Sequence, residues 1–246
     1  MNYIRNIDKK RGTIFISTII LLIFYYITAL LYVRVSPDRK NLIFFHWIFG
    51  SLFGDSIWID FWQYIFQFIM AFILFFIIPV LIIKYYLKED LREYGIYWGN
   101  KKFNLIWTLI GLAISPIFLL ISNDPILLNE YPLTRLVLNN MGLFLIYNLI
   151  YLVYYIGYEF IFRAYFQFGL MKGNTKKVGM ILIIITQTIL TTLFHIGKPL
   201  TEIIAAAAIG PLFGYLTIKG KSIIWPVLIF HYTIGIFSNF GALIWL

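Results

Sequence analysis

Four ionisable side chains in the second half of the sequence are of types that can carry out hydrolysis. Glu159 and Arg163 stand four residues apart, and His195 and His231 follow on later segments. A carboxylate can take a proton from water, and an imidazole can bind a metal ion or stabilise an oxyanion. The sequence contains no cysteine, which excludes thiolate nucleophiles and thiolate metal sites. These residues therefore predict hydrolysis by an activated water, with either a Glu159 base or a zinc-bound hydroxide.

Each of these residues also has a structural explanation. Glu159 and Arg163 would share one helical face and could neutralise each other as an intrahelical ion pair. A lone histidine inside a membrane more often hydrogen-bonds between helices than catalyses. Neutralisation explains Arg163 but not Glu159, because a bilayer helix needs neither charge and ionisable residues there mark functional sites. The three helices that would carry Glu159, His195 and His231 are therefore predicted to share one site. Zinc, if bound there, would have these three residues as ligands.

The segments that must position these residues are strongly apolar. Of the 246 residues, 61% are hydrophobic and 13% are charged, whereas soluble domains carry about 25% charged residues. A soluble chain of this composition could not cover its own surface with polar groups. The composition therefore predicts an all-α, polytopic transmembrane helix bundle surrounded by a lipid bilayer.

Seven stretches are long enough to cross a membrane, since a spanning helix needs about 20 mostly apolar residues. They are Thr13–Val33, Ile57–Leu87, Phe103–Ser122, Asn140–Met171, Val178–Phe194, Leu200–Ile218 and Ile223–Leu246. The second stretch contains Pro79 and is long enough to tilt or kink. A shorter apolar stretch, Leu42–Phe53, is predicted to be an interfacial or re-entrant segment.

The net charge of +9 could indicate nucleic-acid binding, but the basic residues follow the topology of the spans instead. One side of the membrane would hold Arg5, Lys9, Lys10, Arg11, Lys84, Lys88, Arg92, Lys101, Lys102, Lys172, Lys176, Lys177, Lys219 and Lys221. The other side would hold Arg34, Arg39, Lys40, Arg135 and Lys198. Because basic residues are enriched in cytoplasmic loops, this distribution predicts a cytoplasmic N-terminus and no nucleic-acid partner.

Four longer motifs around the ionisable residues resemble the CAAX protease and bacteriocin-processing (CPBP) family of intramembrane proteases. They are Tyr-Glu-Phe-Ile-Phe-Arg at 158–163, Phe-His at 194–195, Gly-Pro-Leu-Phe-Gly-Tyr at 210–215 and Ser-Ile-Ile-Trp-Pro-Val-Leu-Ile-Phe-His at 222–231. That family shows Glu-Glu-x-x-x-Arg on one helix and Phe-x-x-x-His on the next, followed by a glycine-containing helix and a final His-x-x-x-Asn. The resemblance covers roughly Asn140 to Leu246.

The resemblance implies a membrane-embedded endopeptidase acting on a membrane-associated peptide or protein. Eukaryotic relatives trim prenylated CAAX proteins, and bacterial relatives are linked to peptide processing and bacteriocin immunity. We expect the plasma membrane of a prokaryote as its location. Residues 1–139 would form N-terminal transmembrane helices and a cytoplasmic loop, and residues 140–246 a protease-like core of four spans, all in one membrane unit. Glu159, Arg163, His195 and His231 would be catalytic.

Three positions depart from the family pattern. Tyr158 replaces the first glutamate, which in the family is the leading candidate for the water-activating carboxylate. Thr191 replaces the phenylalanine of the second motif, and Gly235 replaces the final asparagine, an expected oxyanion partner. Either Glu159 acts as the base with an altered geometry, or the chain is a catalytically impaired relative that binds a partner. Bacteriocin immunity is one role for such a relative.

The candidates for an accessory role are Tyr158, Lys198 and Glu202. Lys198 and Glu202 lie just beyond His195, in a stretch where Gly197 and Pro199 separate two helices. The structural alternative for Glu202 is a favourable interaction of its charge with the helix N-terminus. For Lys198, the alternative is an anchor at the membrane interface.

Overall fold

The computed structural model describes residues 2–30, 58–172 and 177–246, with side chains from 8–27 in the first stretch, and all regular structure in this part of the chain is helical. The predicted segment Leu42–Phe53 lies outside the described residues. The helices are α1 Asn2–Leu30, α2 Trp58–Leu87, α3 Lys101–Ile121, α4 Pro125–Glu130, α5 Met141–Met171, α6 Lys177–Phe194, α7 Leu200–Gly220 and α8 Ile224–Trp245. Short 3-10 turns cover Leu91–Tyr94 and Arg135–Asn139.

Seven of these helices are long and apolar enough to cross a membrane, which confirms the predicted all-α bundle among the described residues. All but the short α4 qualify. Their outer surfaces carry large exposed apolar side chains, for example Ile16, Leu105 and Leu182. Such surfaces are unfavourable in water and suit contact with lipid tails. The chain is therefore an integral membrane protein.

The expected irregularity at Pro79 takes the form of widened turns. Helix α2 continues through the proline, with π-helical stretches at Ile73–Ile77 and Ile82–Leu87 on either side. Proline lacks an amide N–H and its ring clashes with the preceding turn, so a regular α-helix is hard to maintain there. The widened turns let one long helix pass the proline without ending.

Helix α5 lies at the centre of the bundle and carries two of the four ionisable residues. It packs along α2 and also contacts α1 and α6, while α6 pairs with α7 and α8 packs on α3. Its π-helical stretch Phe160–Phe168 has almost every side chain buried. Glu159 and Arg163 lie in or next to this buried part of α5, so they are in the protein interior and not against lipid.

Candidate active site

A cavity of about 680 Å³ opens between the helices and collects most of the polar residues that the sequence singled out. Its lining includes Tyr158 and Arg163 from α5, His195, Lys198 and Glu202 from the α6–α7 region, and His231 from α8. The volume is within the range of small-molecule and peptide-side-chain sites, about 300–1,000 Å³. The site residues predicted from the sequence therefore line one cavity, except for Glu159.

Glu159 lies directly behind the cavity wall and contacts the residue that forms it. Its Oε1 atom is 2.5 Å from Nδ1 of His231, and its side chain is fully buried. Nη1 of Arg163 lies 3.1 Å from the same oxygen and 3.0 Å from Oε2. The carboxylate thus contacts both the guanidinium of Arg163 and the imidazole of His231.

The local sequence explains how three charged or titratable groups meet in an apolar bundle. Glu159 ends the regular α-helical part of α5, and Arg163 follows one turn later in the π-helical stretch. His231 follows a kink at the start of α8, where Trp225 has an extended backbone (φ −117°, ψ 129°) and precedes Pro226. π-Helical turns are frequent at functional sites. Here one such stretch follows Glu159 directly.

The contact with Glu159 fixes the tautomer of His231. A carboxylate only accepts hydrogen bonds, so Nδ1 of the ring must donate. In the neutral ring the lone pair is then on Nε2. His231 lines the cavity and its side chain is 21% exposed, whereas Glu159 is not exposed at all. The histidine is therefore the member of the pair that can touch a molecule in the cavity.

His195 follows the last residue of α6 and is held by its own helix. Its Nδ1 lies 2.7 Å from the carbonyl oxygen of Thr191, so Nδ1 donates and Nε2 again carries the lone pair. Burial lowers the pKa of His195 to about 4, because the charged ring would lose its hydration. The ring is therefore neutral near pH 7 and offers the cavity a hydrogen-bond acceptor.

Tyr158 packs against both histidines and stands at the position of the family's first carboxylate. Its ring centroid is 5.2 Å from that of His231 and 6.1 Å from that of His195. The guanidinium carbon of Arg163 lies 5.5 Å from the same ring. The residue that replaces the carboxylate thus places an aromatic ring against both histidines.

The predicted zinc ligands do not form a three-ligand site. Among the described residues, no three His, Cys, Asp or Glu side chains are grouped closely enough to hold a metal ion. Of the three predicted ligands, Glu159 is fully buried behind the cavity wall and bonded to Nδ1 of His231, which leaves only the Nε2 atoms of His231 and His195. Protein zinc sites use three or four ligands around one point. The three predicted ligands do not fit that requirement.

A second polar group lines the cavity and includes both remaining accessory candidates. Nζ of Lys198 lies 2.7 Å from Oε1 of the buried Glu130, and the Tyr131 hydroxyl donates to Oε2 of Glu202 at 2.8 Å. Glu202 lies in the first turn of α7, as its structural alternative requires. Glu130 and Tyr131 were not identified from the sequence, because nothing in their local pattern indicates partners at the start of α7 or in the turn before it.

A further residue that the sequence did not indicate is Tyr155. Its ring lies 4.7 Å from the ring of His231, between centroids, and it lines the cavity. A Cβ atom added to Gly235 would lie 2.2 Å from the Tyr155 hydroxyl oxygen. The missing side chain at 235 is therefore what allows this tyrosine to approach α8.

The bundle and the cavity between its helices define a polytopic membrane protein with a buried group of ionisable side chains. Residues 140–237 match the family model described as Type II CAAX prenyl endopeptidase Rce1-like, a family of proteases. The match includes all four ionisable residues and confirms the resemblance to the CPBP family over this part of the chain. No curated protein and no solved structure matches the chain.

Proposed function

We propose that the protein is an intramembrane endopeptidase that hydrolyses a membrane-associated peptide or protein in this cavity. The observation that carries the proposal is the 2.5 Å contact between Nδ1 of His231 and the buried Oε1 of Glu159. A carboxylate behind a histidine orients the ring and stabilises its protonated form, and this arrangement recurs in hydrolases of unrelated fold. The matched family supports the same reaction class.

In this proposal the general base is His231, and Glu159 acts through it as a positioning residue. Glu159 is buried and absent from the cavity wall, so water in the cavity reaches Nε2 of His231 and not the carboxylate. Nε2 takes a proton from water as the water oxygen bonds to the scissile carbonyl carbon. The same proton passes to the amide nitrogen as the C–N bond breaks, which leaves a carboxylic acid and an amine.

The other residues around the cavity take supporting roles. Arg163 neutralises Glu159, because a buried carboxylate without a partner is strongly unfavourable. His195 is a hydrogen-bond acceptor through Nε2, and we assign it the second contact that holds the attacking water. Lys198 and Glu202 also line the cavity, and we assign them contacts with other parts of the substrate.

The cavity walls indicate an apolar substrate segment. Aromatic side chains from three helices line the cavity, among them Tyr25, Phe68, Tyr151 and Tyr154. Apolar walls with a few fixed polar groups are typical of sites that bind an apolar ligand in a set orientation. A hydrophobic or lipid-modified peptide would satisfy both features.

The orientation that follows from the charge distribution is part of the proposal. We place the N-terminus in the cytoplasm, in the plasma membrane of a prokaryote, since the basic residues favour that side. With seven spans, the two ends of the chain would lie on opposite sides. A reporter fused after Leu246 that is active only outside the cytoplasm should give a signal, and a cytoplasmic signal would contradict this orientation.

One observation favours a second function, in which the cavity binds a peptide or protein without cleaving it. Tyr158 packs against both histidines at the position where the family has a carboxylate, and it is only 2% exposed. Loss of that acid would reduce hydrolysis but leave the aromatic walls able to bind. A catalytically impaired relative of this kind could act in bacteriocin immunity.

An assay of cleavage and binding on the same material separates the two functions. We would reconstitute the purified protein in lipid vesicles with a mixture of farnesylated and unmodified hydrophobic peptides, and analyse the products by mass spectrometry. The peptidase proposal predicts cleavage by the wild type, loss in His231→Ala, and normal cleavage in Glu93→Gln, a change of an exposed glutamate. Binding of a peptide by the wild type with no product would support the second function.

A further inference from the structure

Gly235 stands on the same face of α8 as His231, one helical turn further along. Residues four apart on a helix are neighbours on its surface, so a side chain at 235 would point toward the space beside the His231 ring. Gly235 also lines the cavity. Any group that occupies the place of the missing side chain is therefore next to the proposed base.

The hydroxyl of Tyr155 occupies that place. An added Cβ at 235 would meet the hydroxyl oxygen at 2.2 Å, Cζ at 2.9 Å and Cε2 at 3.1 Å. Tyr155 lies one helical turn before Glu159 on α5, so its ring is on the face of α5 that holds the Glu159–His231 contact. The Tyr155 phenol therefore extends from α5 to the surface of α8 and lies beside His231.

The site needs a hydrogen-bond donor that the two histidines do not supply. When the substrate carbonyl carbon becomes tetrahedral, its oxygen gains negative charge and must be stabilised. Each histidine directs its Nδ1–H to another partner, so the Nε2 atom of the neutral ring accepts and does not donate. Arg163 lines the cavity but directs Nη1 at Glu159. A tyrosine hydroxyl is a neutral donor that can serve this purpose in the low-dielectric interior of the bundle.

We propose that the Tyr155 hydroxyl donates to the oxyanion, and that Gly235 is the residue that admits it. This inference rests on the proposed peptidase function and adds a catalytic residue to it. In this chain a donor on α5, the Tyr155 hydroxyl, would replace the donor that the family has on the last helix. Gly235 makes this possible because it leaves room for the phenol. A Cβ at 235 and the native position of Tyr155 exclude each other.

The first test removes only the hydroxyl. Tyr155→Phe should lower kcat about 100- to 1,000-fold, the usual loss for one oxyanion donor. KM should change little, because the interaction forms only in the transition state. Tyr232→Phe is the matched control, since its hydroxyl donates to the Asn148 carbonyl and the residue is absent from the cavity lining. That control should retain wild-type kcat, and equal thermal unfolding midpoints should show that all variants are folded.

The second test displaces the hydroxyl without changing Tyr155. Gly235→Ala places a methyl group where the phenol lies, so kcat should fall as in Tyr155→Phe. Gly12→Ala is the matched control, because nothing lies within 4 Å of a Cβ at that glycine. Tyr155→Ala removes the ring, and adding Gly235→Asn to it should recover part of the lost rate by supplying an amide donor.

A binding comparison tests Tyr155 even if the wild type cleaves nothing. A peptide phosphinate carries an anionic oxygen at the position of the oxyanion, and the matching amide peptide does not. Tyr155→Phe should weaken phosphinate binding at least 10-fold and leave amide binding unchanged. Equal phosphinate binding in both proteins, or full kcat in Tyr155→Phe, would overturn the inference while the peptidase proposal stands. Wild-type protein that cleaves no peptide would count against the peptidase proposal instead.

Discussion

Nδ1 of His231 and Oε1 of Glu159 lie 2.5 Å apart although the two residues are separated by 72 positions in the sequence. The contact joins the central helix α5 to the last helix α8. It places the carboxylate behind the cavity wall and the histidine at it. The residue that the sequence indicated as the base therefore acts, in the proposed mechanism, through the residue in front of it.

Replacement of Glu159 should reduce the rate without removing the cavity. Glu159→Gln keeps the shape of the side chain but loses the charge that orients and stabilises protonated His231. We expect kcat to fall about 100- to 10,000-fold, the range for loss of acid–base function. Steady-state kinetics in vesicles would measure it. If the two residues act as a unit, Glu159→Gln combined with His231→Ala should be no slower than His231→Ala alone, whereas multiplied losses would contradict the pairing.

Arg163 should matter more for stability than for chemistry. Arg163→Met leaves Glu159 without its cationic partner in a site where the arginine side chain is only 3% exposed. Breaking a buried ion pair in this way costs about 3–5 kcal/mol. Arg163→Lys keeps the charge but loses the planar geometry, so its effect should be smaller. Thermal unfolding in detergent would rank the variants.

The exposed Arg92 offers the control for that series. Arg92→Met removes the same charge on the short 3-10 turn Leu91–Tyr94, outside the bundle interior. Its unfolding midpoint should match that of the wild type. An Arg163→Met midpoint equal to that of Arg92→Met would show that the Glu159–Arg163 pair does not hold the site together.

Stability should depend on pH through Glu89, which ties α1 to the end of α5. Its carboxylate accepts hydrogen bonds from Lys10, Tyr94 and Lys172. Although burial raises it, the hydrogen bonds from Lys172, Tyr94 and Lys10 bring the pKa of Glu89 below its ordinary value. A lowered pKa stabilises the fold above the ordinary carboxyl pKa, and the stabilisation is lost as pH falls through the folded-state value.

Unfolding midpoints across pH would measure this contribution. Glu89→Gln should unfold at a lower temperature than the wild type near pH 7, and the difference should vanish in strongly acidic solution. Glu93→Gln is the matched control, since Glu93 contacts the same Lys172 but is 53% exposed and should contribute little. A difference between wild type and Glu89→Gln that persists unchanged at low pH would contradict the assignment.

Much of this arrangement could be predicted from local sequence. The seven spans follow from apolar stretches of sufficient length, and the Glu159–Arg163 pair follows from a spacing of four on a helix. The rotation of α5 could not be predicted, because bulky aromatic and aliphatic side chains lie on every face of the helix near Glu159. Sequence therefore did not show that Glu159 lies behind the cavity wall.

Contacts that depend on the distance between helices were also beyond reach. The approach of Tyr155 to Gly235 requires α5 and α8 to pack closely, and the ion pair of Lys198 with Glu130 joins segments 68 residues apart. The local sequence indicated the contact of Tyr155 with Gly235 only through a glycine at a position where the related family has asparagine. It indicated an empty position but not which neighbour fills it.

The central claim is that water activated by His231 attacks the substrate carbonyl, and isotope labelling tests it most directly. Wild-type protein in vesicles would be incubated with the peptide mixture in water enriched in oxygen-18, and the new carboxyl termini analysed by mass spectrometry after one turnover. The mechanism predicts one labelled oxygen atom per cleaved bond in the wild type and product formation about 100- to 10,000-fold slower in His231→Ala. Equal labelled product from wild type and His231→Ala would contradict it, as would peptides that bind to the wild type and remain uncleaved.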